Sequence, residues 1–99
     1  MVKSSKIRLV NVKVPMKKIA FYDNKNVVSD RIRYYRDKQG LTQEQVVAKL
    51  QTMNVNIDQQ ALSKIEHNRR IVTDYELACL CRVFGVTERD MLSDFYEKY

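Results

Sequence analysis

The stretch LTQEQVVAKLQTMNVNIDQQALSKIEHNRR, Leu41 to Arg70, decides the fold. It reads as two helices. Thr42 opens the first, and Gln45 three residues on completes a capping box, in which side chain and backbone satisfy each other's free N–H groups. Val46, Leu50 and Met53 fall at helical spacing and carry this helix to about residue 53. Asn54 suits the left-handed position that ends a helix. Asp58 can cap a second helix over 59–67, with Ile57 before the cap and Leu62 after it placed as a hydrophobic staple. Leu62 and Ile65 then face inward, leaving Gln59, Gln60, Ser63 and Lys64 on other faces.

The flanks continue the punctuation. Upstream, Ser29 is the expected cap of a helix ending near Gly40, a left-handed stop, with Ile32 and Tyr35 on its buried face. Downstream, Thr73 with Glu76 forms another capping box, Leu77, Leu80, Cys81 and Phe84 make an apolar stripe, and Gly85 closes it. Thr87 opens a last helix with Met91, Leu92 and Phe95 inside. The expectation is an all-α body of five helices over 28–99, preceded by an arm over 1–27.

Charge divides the chain in the same way. Its formal net charge is +6. Lys3, Lys6, Arg8, Lys13, Lys17, Lys18 and Lys25 face Asp23 alone in the first 25 residues, so the rest is neutral. Such an arm fits a polyanion partner, and equally a solvated tail. Within it, KIRLVNVKV (6–14) is rich in β-branched residues and partly alternates, as a strand does.

Several function classes drop out. Cys79 and Cys81 lie two apart on a helix and point to different sides, which disfavours a mutual disulfide. With His67 they still lack the ligands of a zinc site, so no metal or cofactor is expected and both thiols read as core filler. No nucleophile–base pair or phosphate-cradling glycine loop points to an enzyme. No apolar run approaches the roughly 20 residues of a membrane span, and the basic N-terminus lacks the apolar core of a signal peptide. A cytoplasmic location is expected.

The remaining chemistry concentrates on the helix at 59–67. A helix entering the major groove meets base edges with its first turn. Gln offers a donor and an acceptor in a fork that matches adenine N6 and N7. Gln59 and Gln60 occupy that turn, and Lys64 follows one turn on. Gln43 sits at a helix N-terminus, where free N–H groups favour a phosphate. Arg69 and Arg70 are natural phosphate clamps. The plainer reading makes all of these solvated polar residues, with Arg69 and Arg70 near Asp74 and Glu76.

RIRYYRDKQGLTQEQVVAKL followed by ALSKIEHNRRIVTDYELACLCRVFGVTERDML resembles the Cro/C1-type (Xre family) helix-turn-helix domain of phage and bacterial repressors, over roughly residues 28–93. Leu41-Thr42-Gln43-Glu44, Ile65-Glu66 and Gly85-Val86 carry the match. The resemblance implies a five-helix lambda-repressor-like domain that binds double-stranded DNA as a homodimer. It places Gln59, Gln60, Ser63 and Lys64 among base-reading positions. Gln43, Asn68, Arg69 and Arg70 match backbone contacts, and Glu66 matches a residue that holds the following loop. Two departures stand out. The family's Glu-Asn-Gly is Glu66-His67-Asn68 here, and the connection between the two helices, ordinarily about three or four residues with a Gly, is lengthened through Gln51 to Asn56. A transcriptional repressor is the expected function. The alternatives are an antitoxin, whose arm would engage a toxin, and a protein-interaction module that has lost DNA binding.

Overall fold

The computed structural model describes residues 20–99, so the strand expected over 6–14 and most of the basic arm lie outside the described residues. The described chain holds α1 (Ser29–Lys38), α2 (Gln43–Gln51), α3 (Gln59–Glu66), α4 (Asp74–Phe84), α5 (Glu88–Met91) and α6 (Ser93–Lys98). The all-α expectation holds.

The capping residues set these boundaries. Thr42, Thr73 and Thr87 each accept the backbone N–H three residues on, in full capping boxes with Gln45, Glu76 and Asp90. Asp58 caps α3 through the N–H of Ala61 at 2.8 Å. At the other ends, Gly40 (φ 67°), Asn54 (φ 63°) and Gly85 (φ 70°) adopt the left-handed conformation. The N–H groups of Leu41, Val55 and Val86 then reach back to the carbonyls of Arg36, Leu50 and Cys81, satisfying groups that a helix end leaves free.

Two expectations need correction. Ser29 does not cap α1. It is the first helical residue and is buried, while Val28 holds the cap position without a side-chain bond. Asn26 precedes the helix in an Asx-type turn, its Oδ1 taking the N–H of the cap residue Val28 at 3.0 Å, so the helix begins one residue earlier than a Ser29 cap would start it. The expected fifth helix is also broken, giving six helices. Leu92 (φ −97°, ψ 10°) ends α5 and starts α6, and the bend lets Phe95 pack on Phe21 with ring centroids 5.7 Å apart.

One core joins the helices. Ile32, Val46, Leu50, Leu62, Ile65, Leu80 and Met91 are essentially inaccessible, and Phe84, Cys81 and Val28 are nearly so. Burial of this kind is the main favourable term in folding. α3 packs on both α1 and α2, so the core fixes three helices relative to one another. The lengthened connection is part of this core. Val55 and Ile57 are buried, which anchors the extra residues against the body instead of leaving a loose loop.

Candidate nucleic-acid interface

α3 buries Leu62, Ile65 and Glu66 and turns Gln59, Gln60 and Lys64 outward, with Ser63 half-buried beside them. Residues three or four apart share a helix face. Gln60 and Lys64 therefore line one outer ridge, and Gln59 and Ser63 the next. His67 closes the helix, its Nδ1–H donating to the Ser63 carbonyl at 2.7 Å.

The geometry of the first turn is set from inside. Glu66 is only 1% exposed, so its carboxylate must be fully paired. Arg36 of α1 grips it with Nε at 2.7 Å from Oε2 and Nη2 at 3.0 Å from Oε1. This bidentate pairing raises the Arg36 pKa against the opposing effect of burial. The Gln43 side chain, at the start of α2, donates to the same Oε1 at 3.0 Å. Gln59 in turn donates to the Gln43 oxygen at 3.2 Å. A relay thus runs from the buried carboxylate through Gln43 to the first residue of α3. Gln59 retains one N–H and its carbonyl oxygen, the two groups a base edge requires.

The loop after α3 treats its basic residues differently. Asn68 takes φ 60°, and the Arg69 N–H returns to the Lys64 carbonyl at 2.7 Å. Arg69 is exposed, and among the described residues no hydrogen bond or ion pair holds its guanidinium. Arg70 is engaged within the fold. Its two Nη groups lie 2.9 and 3.0 Å from the oxygens of buried Glu76, and Nη1 also donates to the Ile71 carbonyl. The half-buried Asn68 side chain is likewise engaged, bonding to residues 24–26.

Sequence reasoning missed Arg36, Arg33, Asn24 and Asn26. Arg33 donates to the Glu66 carbonyl at the end of α3. The Asn26 amide nitrogen donates to the carbonyls of Ile65 and Arg70 at 3.0 and 2.9 Å. These partners lie 30 or more residues apart, and no local pattern announces them.

A helix-turn-helix family model matches residues 32–91, the span that contains α2, α3 and the buried carboxylate. The chain belongs to the Cro/C1-type helix-turn-helix (Xre) family. Members of that family are DNA-binding regulators of transcription. No curated protein matches the chain. In this helix-turn-helix protein α2 and α3 are the paired motif, and the formal charges of residues 26–99 sum to zero. Among the described residues, no group of three His, Cys, Asp or Glu could hold a metal ion, and no helix is long and apolar enough to cross a membrane. Both cysteines are free, and burial pushes the Cys81 thiol up to about 11.

Proposed function

We propose that this protein is a sequence-specific transcriptional repressor that inserts α3 into the major groove of double-stranded DNA. The observation that carries the reading is the relay from Glu66 through Gln43 to Gln59. It holds a forked amide at the start of an exposed helix with one donor and one acceptor still free. Gln60 and Lys64 extend the same surface, and Ser63 lies beside them. The start of α2 supplies free N–H groups for a phosphate, and Arg69 supplies a cation on the other side of α3.

One such helix reads too few base pairs to define an operator, so the reading includes a homodimer on a pseudo-palindrome. The segment from Met91 to Tyr99 is the proposed contact between copies. Tyr96 and Tyr99 remain exposed there, whereas Phe95 is half-buried in its own chain.

The test begins with selection of a preferred duplex from a random pool. Gln59→Ala or Gln60→Ala is expected to cost about 1–3 kcal/mol on that duplex and almost nothing on random DNA. Equal losses on both would remove the base-reading role.

A further inference from the structure

Arg69 is exposed, yet its neighbours on both sides are fastened. Before it, Asn68 takes the left-handed conformation where the family commonly has Gly. Glycine would serve that backbone at least as well, and what asparagine adds is its side chain. Its Oδ1 accepts the N–H groups of Lys25 and Asn26 at 2.8 and 3.1 Å, and its Nδ2 donates to Asn24 Oδ1 at 2.7 Å. After it, the Arg70 guanidinium is paired with Glu76.

Asn26 joins the two sides. Its Nδ2 donates to the Ile65 carbonyl at 3.0 Å and to the Arg70 carbonyl at 2.9 Å, so one amide bridges the last turn of α3 and the far side of the loop. Its Oδ1 takes the Val28 N–H ahead of α1, which holds the amide at both ends. A helix end leaves its last carbonyls without helical partners. Here the Lys64 carbonyl takes the Arg69 N–H, that of Ile65 takes Asn68 and Asn26, and that of Glu66 takes Arg33. Residues 24–26 precede the part of the chain that matches the family, so this brace reaches the recognition helix from outside the shared domain.

We propose that Asn26 is a positioning residue for DNA binding, which together with Asn68 braces the loop after α3 and presents Arg69 to a phosphate in a fixed shape. Asn26 acts through the loop backbone, and Arg69 makes the contact. A loop that is already ordered gives up less conformational freedom on binding, and the difference appears as affinity. The role rests on the DNA-binding reading above and adds to it a residue that neither helix of the motif supplies.

The test is a double-substitution cycle in the full chain, using a short duplex of random sequence as the probe. Asn26→Ser keeps a side-chain oxygen for the Val28 N–H and removes the amide that bridges the loop. With Arg69 in place it is expected to weaken binding about three- to tenfold. With Arg69→Ala already made it is expected to change binding by less than about twofold, since the braced group is gone. The slope of log affinity against log salt should also fall toward that of Arg69→Ala, by at most about one unit. A substitution that merely lowered stability would weaken binding equally in both backgrounds and keep its slope. Asn68→Gly, which keeps the left-handed turn and removes only the side-chain bonds, should repeat both results, and thermal denaturation of each variant gives its stability. Equal weakening in the two backgrounds, or none in either, overturns the brace. Failure of the parent chain to bind the duplex overturns the DNA-binding reading along with it, so the two failures are distinct.

Discussion

Glu66 and Glu76 are both buried carboxylates gripped by an arginine, yet they do different things. Glu66 closes α3 and is held by Arg36 from α1 and Gln43 from α2, so one side chain ties three helices together. Glu76 lies in the first turn of α4, where it takes the Thr73 N–H at 3.0 Å and pairs with Arg70 only six residues upstream. The first network is long-range and ends at Gln59 on the outer face. The second is local and ends within its own loop. In this fold a buried ion pair is linked to the outer face of α3 where one of its acceptor oxygens is shared with Gln43, which in turn holds Gln59.

The largest expected effect is on the long-range side. Arg36→Ala leaves the Glu66 carboxylate buried with only Gln43 beside it. Breaking a buried pair in this way costs about 3–5 kcal/mol, measured as the loss of unfolding free energy in denaturant. A cost below about 1 kcal/mol would place the pair with ordinary surface ion pairs and break the comparison.

The local side is expected to give less. Arg70→Ala removes a guanidinium that is 29% exposed, and the Thr73 N–H still satisfies part of Glu76. A loss of about 1–2 kcal/mol is expected by the same denaturation. pH sharpens the contrast. Burial pushes the Glu76 pKa up, but hydrogen bonds from Arg70 and Thr73 outweigh it and leave the folded value below the ordinary one. A depressed folded pKa contributes stability that is fully present above the unfolded pKa and is lost as pH falls through the folded pKa. Melting followed down the acid limb should show that loss, and Glu76→Gln should flatten it. An unchanged acid limb in the variant would mean that Glu76 gains nothing from ionisation.

How much of this the sequence carried depends on distance along the chain. The capping boxes at Thr42, Thr73 and Thr87 are readable because cap and partner are three residues apart. The left-handed stops at Gly40, Asn54 and Gly85 depend on single residue types. The start of the extended connection was legible for the same reason, because Asn54 announces a stop, and Ile57 was legible as half of a staple with Leu62. The interior of the site was not legible. Arg36 looks like one of several charges on an exposed helix face until Glu66, 30 residues away, folds against it. Ser29 fits the cap pattern, but the Asx-type turn at Asn26 starts the helix one residue earlier and leaves Ser29 inside it. Gln43, Gln59, Gln60 and Lys64 were singled out as candidates from residue type and position, whereas the relay joining Gln43 to Gln59 depends on how α2 and α3 pack.

The smallest expected effect separates two adjacent arginines that the sequence presents as a pair. A cation that neutralises a phosphate releases a counterion, and each such contact adds about 0.9 to the slope of log affinity against log salt. Arg69 is exposed, and its guanidinium has no hydrogen-bond or ion-pair partner among the described residues. The Arg70 fork is occupied by Glu76 and the Ile71 carbonyl. To meet a phosphate it would have to abandon a buried carboxylate, which costs more than an exposed phosphate contact returns. Titrations of random duplex DNA across a salt series should therefore show the slope falling by about one unit for Arg69→Ala. Arg70→Gln should leave the slope unchanged while lowering stability. The opposite outcome, a flatter slope for the Arg70 variant alone, would mean that the Arg70–Glu76 pair opens when DNA arrives. The local carboxylate network would then also end at the DNA surface, and its contrast with Glu66 would disappear.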